Sequence, residues 1–298
     1  MEHELKINRL KDYGLIYAMM ASNSIAMGDV VTIDLTDHLF FKPVHVILLT
    51  MGIIQLVHST GEVIVVPPIN ESHNRFLMDI EFENFCQSNL HKSKTMGEIA
   101  SKTAMPIKRL SLEYLNSYTL DVLKYLGTKC EGKDTSMLNI SIAELINNVY
   151  DHAGSETGGS PIDAYIFSQY NSEKRQISIV VGDFGIGIPE KANKYFAEEG
   201  LPLRSNADCI KWALELNESS FSQPHNRGKG LNNIYSFVKS SGSHLRIFSN
   251  DVMLDSGNAG DKYGKNPIED FRGTVVEVEI NIDGLAIDDE TTLTSMWD

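Results

Sequence analysis

The first hundred residues alternate between two hydrophobic rhythms. "DVVTIDLT" is a β-branched run with the residue types of a strand, and "EVIVVPP" is a second one, stopped by its prolines. Between them "KPVHVILLTMGIIQLVHSTG" is apolar for long enough to form a buried helix, ending at Gly61. Strand, helix and strand in that order make a βαβ unit, which predicts a parallel strand pair with helices packed on the sheet. The polar stretch "CQSNLHKSKTMGEIASKTAMP" closes at Pro106, where a domain boundary is expected. The predicted divisions are residues 1–105, 106–282 and an acidic, frayed tail over 283–298.

Beyond the boundary, helical segments are expected at "LSLEYLNSYTLDVLKYLG" and "SMLNISIAELINNVYDHAG", followed by strands at "PIDAYIFSQY" and "RQISIVVGDFG". A long polar connection leads to a helix start at "GKGLNNIYSFVKSSG". Two closing strands, "SHLRIFSN" and "GTVVEVEINI", are read as separated by a Gly- and Asp-rich loop. The pattern predicts an α/β protein in which the βαβ domain precedes a two-layer α/β sandwich.

Polar residues interrupt that pattern most sharply in "ISIAELINNVYDHAG", residues 140–154. Ile142, Leu145, Ile146 and Val149 fall at i, i+3, i+4 and i+7 and make one apolar stripe. Glu144, Asn148 and Asp151 make a second stripe on another face. The plain structural reading is a solvated face, with Ser141 and Glu144 as an S-x-x-E capping box. The alternative is a row of oxygen ligands facing a cation and a reacting water or hydroxyl.

Composition narrows the choice. The net charge of −14, from 26 basic and 40 acidic residues, argues against nonspecific nucleic-acid binding. Cys86, Cys130 and Cys209 are isolated and form no CxxC pair, so they read as reduced thiols and not as a disulfide frame or zinc site. The N-terminal "MEHELKINRLKDYG" has no apolar signal-peptide core. The most apolar stretch, "VHVILLTMGIIQLV", carries His45 and Gln55 and is taken as too short to span a bilayer. A soluble, cytoplasmic protein without a membrane or nucleic-acid partner is expected. No G-x-S-x-G or H-E-x-x-H sequence supports a serine- or zinc-hydrolase reading.

Two glycine-rich stretches complete the picture. "VVGDFGIGIPE", residues 180–190, runs from an apolar strand into Asp183, Gly185 and Gly187. Glycines there permit close approach of a ligand to the backbone, and the Asp can accept a hydrogen bond from an exocyclic amine. It is not a Rossmann fingerprint, because no GxGxxG opens a helix after it. "NRGKGLNNIYSFV", residues 226–238, places Gly228 and Gly230 before an apolar-periodic helix, where backbone N–H groups and the helix dipole suit a phosphate. Arg227 and Lys229 add positive charge, although the Walker A spacing is absent.

Taken in order, these parts resemble the GHKL ATP-binding superfamily, which includes gyrase, Hsp90, histidine kinases and MutL. "ELINNVYDHA" is similar to its N box, "DFGIG" to its G1 box, "GKGL" to its G2 box and "GTVVEVEI" to its closing strand. The resemblance covers roughly residues 106–282 and implies the Bergerat ATP-binding fold. It assigns Glu144 as general base and Asn148 as the carboxamide ligand of Mg²⁺, a hard ion otherwise held by phosphates and waters. Asp183 would bind the adenine amine with support from Thr274, while Gly185, Gly187 and Ile188 would line the nucleotide. Arg227, Gly228, Lys229, Gly230 and Leu231 would cradle the phosphates, with Asp151 and His152 nearby. Residues 190–227 would form a mobile ATP lid.

Within that superfamily, residues 283–298 are too few for the transducer domain of the gyrase and MutL branch, and the "HEL" at His3 has no preceding helix turn to serve as a phosphoacceptor hairpin. The N-terminal region resembles a STAS-like domain, the fold of anti-sigma-factor antagonists. Its "FFKPVHV" has Phe41, Lys42 and Pro43 and no hydroxyl where those proteins carry a phosphoacceptor, which implies a docking or dimerising scaffold. Together the two resemblances imply a bacterial regulator with a protein partner, and they allow a homodimer. Such a regulator would bind Mg·ATP and either hydrolyse it or phosphorylate a partner Ser/Thr. A non-enzymatic, nucleotide-gated interaction module is the alternative.

Overall fold

The structure is a computed structural model describing residues 1–82, 85–86, 104–110, 115–154, 164–215 and 230–288, the side chains at 115, 148–154 and 230 excepted. The chain is a mixed α/β protein with two sheets. In the first, β1 (Glu2–Lys6), β2 (Val30–Asp34) and β3 (Glu62–Val66) run parallel in the order β1-β2-β3. The connections are α1 (Gly14–Ala21) and α2 (Pro43–Thr60), and α3 (Glu71–Asp79) follows. The expected βαβ unit is β2-α2-β3; β1, α1 and α3 carried too little periodicity to be read from the chain.

The termini of α2 follow directly from the residues present. Pro43 sits in its first turn, where a missing N–H breaks no intrahelical bond. Gly61 ends it at φ 85°, in the left-handed region, and donates its N–H to the Val57 carbonyl. The 18-residue helix has the length and composition of a membrane-crossing segment, so shortness does not distinguish it from one. Its surroundings do distinguish it here, since Val44, Ile47, Leu48, Met51, Ile54 and Leu56 are all buried in protein.

The second sheet has seven strands in the order β4-β5-β6-β10-β7-β8-β9, and all the pairings are antiparallel. They are β4 (Ala104–Leu110), β5 (Ala164–Asn171), β6 (Gln176–Asp183), β7 (His244–Ser249), β8 (Val252–Gly257), β9 (Gly260–Lys265) and β10 (Thr274–Asn281). Pro106, expected to close a linker, lies inside β4. It is tolerated because β4 is an edge strand whose register shifts between Met105 and Lys108. The stretch between the closing strands, read as a loop, folds into the β8–β9 hairpin.

One face of this sheet carries α4 (Leu115–Lys129), α5 (Ser136–Gly154) and α8 (Gly230–Ser241). Ile142 and Ile146 of α5 and Ile234 and Val238 of α8 pack with Ile179, Val181, Val276 and Val278 in one core. The region read as a polar connection holds two further helices, α6 (Ile188–Glu198) and α7 (Asn206–Leu214). Phe196 and Trp212 join them edge to face at 4.9 Å in a small core of their own.

The opposite face of the seven-stranded sheet is covered by α2. Tyr165, Phe167, Val180, Phe248 and Val275 share a second core with α2 and with Val31 and Ile33 of the parallel sheet. Gly182 makes this contact close: a Cβ there would lie 2.7 Å from Met51 Sδ and 2.9 Å from Ile47 Cγ2. Gly182→Val is expected to destabilise the protein by about 1–3 kcal/mol through overpacking, seen as a lower denaturation midpoint. Because α2 belongs to both sheets, hydrogen-exchange protection should fall in β2 as well as β6. Unchanged protection in β2 would show that the two sheets do not depend on each other.

Candidate functional site

Strand alternation places three polar side chains where apolar ones are expected. On β6, Ile177, Ile179 and Val181 face the α4/α5/α8 core, and period two puts Asp183 on the same face. On β10 the sequence is Ile280, Val278, Val276 and then Thr274; on β7 it is Leu245, Ile247 and then Ser249. Thr274 pairs in register with both Asp183 and Ser249. The helix-bearing face therefore ends in a buried polar row across three neighbouring strands, Asp183–Thr274–Ser249, with exposures of 6%, 8% and 0%.

Hydrogen bonds knit that row to the glycine loop that follows it. Asp183 Oδ1 accepts the Gly185 N–H at 2.6 Å. Ser249 Oγ accepts the Ile188 N–H at 2.9 Å, satisfying a donor at the start of α6, and lies 3.0 Å from both Thr274 Oγ1 and the Gly273 carbonyl. Asn250 Nδ2 donates to the Ile186 carbonyl at 2.9 Å. Gly187 has φ 84°, and a Cβ there would lie 2.0 Å from Asn250 Oδ1. Gly273, at φ 121°, passes so near β6 that a Cβ would lie 2.0 Å from the Asp183 carbonyl oxygen.

Burial pushes the Asp183 carboxyl up to about 6, against hydrogen bonds from the Gly185 and Thr274 backbone and the charge of Lys191. A carboxylate so withdrawn from water favours any ligand that offers it an N–H donor. Phe184, the next residue, packs into the opposite core and against Tyr17.

Glu144 lies on α5, half-buried. The helix begins at Ser136, so Ser141 is interior and fully buried, and the capping-box reading of Ser141 and Glu144 is excluded. The side-chain partner of Glu144 is Asn233 of α8, whose Nδ2 donates to Glu144 Oε2 at 2.5 Å. Asn148, Asp151 and His152 lie further along α5 at helical spacing, and their side chains fall outside the described residues. Gly230 opens α8, and Leu231 packs against the helix-face core. Arg227, Gly228 and Lys229 fall outside the described residues.

Those predicted residues that are described form two sets on one face of the sheet, the Asp183–Thr274 row with its loop and the Glu144 helix joined to α8. Sequence reasoning missed Ser249, Asn250 and Asn233. A faint signal for Asn233 exists in "GLNNIY", where two adjacent carboxamides follow Leu231 at the head of an otherwise apolar-periodic helix. Ser249 matters through its register with Thr274, and Asn250 through its bond to the distant Ile186 carbonyl. No family model and no curated protein matches the chain.

The Asp183 carboxyl gives a test of this geometry. Its native proton affinity is raised above the ordinary value of 3.8. The folded state therefore binds more protons than the unfolded state between there and about 6, and stability falls as pH rises through that window. Asp183→Asn should remove that decline. Its stability gain over wild type should grow from near zero at about pH 4 to roughly 1–3 kcal/mol by pH 7, measured by denaturant titration at each pH. A difference that does not change with pH would mean the carboxyl is not desolvated.

Proposed function

We propose that this chain is an ATP-binding regulator of the GHKL type, built on the Bergerat fold with a STAS-like unit in front. The observation that carries the reading is Asp183. It is a buried carboxylate at the end of an apolar strand, first in a polar row that continues through Thr274 to Ser249, and it opens onto a glycine loop. A carboxylate and hydroxyls in that setting suit the amine edge of a purine, and adenine offers such an amine. The antiparallel sheet with α4, α5 and α8 on one face is consistent with this fold.

In this reading Gly185, Gly187 and Ile188 lie along the nucleotide. The start of α8 at Gly230, with Arg227, Gly228, Lys229 and Leu231, receives the phosphates. Asn148 offers its carboxamide oxygen to Mg²⁺, and Asp151 and His152 stand beside it. Glu144 is the general base that takes a proton from the attacking water or from a partner hydroxyl. Phosphoryl transfer asks little covalent work of the protein; it needs positioned groups and neutralised charge. The N-terminal unit serves as the docking scaffold for a protein partner, in a cytoplasmic regulator of bacterial style.

Two substitutions separate binding from chemistry. Asp183→Asn should weaken Mg·ATP binding about 10- to 100-fold by calorimetry, since a charge-assisted hydrogen bond is worth roughly 1.5–3 kcal/mol. Glu144→Ala should keep that affinity and lose phosphate release by about 10²- to 10⁴-fold. Tight binding without release by the wild type would point to a kinase needing its protein substrate, or to a nucleotide-gated docking module. An absence of Mg·ATP binding would sink the reading.

A further inference from the structure

We infer that Asn233 is a positioning residue for Glu144, holding its carboxylate for reaction and tying it to the helix that opens on the second glycine motif. The inference rests on the proposed role of Glu144 as general base. An ionised carboxylate only accepts hydrogen bonds, so the Asn233 amide must present Nδ2 to it, as it does at 2.5 Å. One Glu144 oxygen is thereby fixed. Among the described residues no hydrogen bond holds the other, Oε1, which is left to take a proton.

Asn233 belongs to the first turn of α8, which begins at Gly230. The neighbouring Asn232 anchors the same turn by donating from Nδ2 to the Leu214 carbonyl at 2.7 Å, at the end of α7. A group bound at the α8 N-terminus that shifts this turn therefore moves the partner of the base. The link runs through one hydrogen bond between packed helices, and displacements of about 1 Å at a base can change turnover by as much as 10²-fold.

The test uses the full chain as wild type, Asn233→Ala, Asn233→Asp and Asn232→Ala. Calorimetry gives Mg·ATP affinity, and phosphate release is followed from about pH 5 to 8. Asn233→Ala should bind within about threefold of wild type and lose kcat by roughly 10- to 100-fold. Asn233→Asp should regain activity as pH falls, because a proton shared by the two facing carboxylates replaces the lost amide donor. Asn232→Ala, which frees the turn from α7 but leaves the Asn233 amide on Glu144, should lose less kcat than Asn233→Ala. The inference is overturned if Asn233→Ala turns over like wild type, or if Asn233→Asp has a wild-type pH profile. It is also overturned if Asn232→Ala matches Asn233→Ala, which would mean a loosened helix. In those cases wild type still binds and hydrolyses, so the nucleotide reading survives. Wild type that binds without releasing phosphate overturns this inference, since Asn233 then holds no base toward water, while nucleotide binding stands. Wild type that does not bind removes the nucleotide reading itself.

Discussion

A helix that is apolar on every side must be covered on every side, and α2 is covered by two different sheets. The parallel strands β2 and β3 lie along one flank and the antiparallel strands β5, β6 and β10 along the other. Gly182 provides the clearance on β6, and Gly52 provides it on α2, where a Cβ would lie 2.8 Å from Ile16 of α1. Tyr17 of α1 completes the joint: its hydroxyl donates to the Leu48 carbonyl at 3.0 Å, and its ring meets Phe271 edge-on at 5.1 Å and also contacts Phe184.

That packing fixes the position of the polar row on the other face. With α2 against one side of the central strands β6 and β10 and the α4/α5/α8 core against the other, their residues alternate between the two cores by parity. Asp183 goes to the helix side and Phe184 packs toward α2 and Tyr17. Adjacent residues of "DFG" thus connect the candidate site to the N-terminal unit without any long-range element between them. Gly182, against Met51 and Ile47 of α2, and Phe184, against Tyr17 of α1, stand on either side of the buried carboxyl in the chain.

The far end of the sheet is held differently. Arg246 on β7 bonds Glu277 at 2.7 Å and lies 3.2 Å from Glu279, both on β10. Burial holds Glu277 above the usual carboxylate range, against the attraction of Arg246. Beyond β7, the β8–β9 hairpin extends the sheet, and α7 packs against β8. The helices α6 and α7 rest on Phe196, Cys209 and Trp212, with the Arg204 guanidinium 4.5 Å from the Phe196 ring centre.

The sequence by itself determined the elements whose periodicity and terminal residues are local. Pro43 and Gly61 bound α2, the stripe from Ile142 to Val149 marks α5, and the run into Asp183 ends β6. It also singled out Asp183 and Glu144 as polar residues in apolar company, while Thr274 entered only through the family resemblance. It did not reveal β4, whose Pro106 argues against a strand unless its edge position is known. Nor did it reveal β8 and β9, whose glycines and aspartates read as a loop until pairing of β8 with β7 and of β9 with β8 gives their backbone groups partners. Only the tertiary structure decided that Thr274 lies between Asp183 and Ser249, that Asn233 reaches Glu144, and that α2 lies between two sheets. Those facts depend on strand register and on which helix faces meet, and both are set by contacts between residues far apart in the chain.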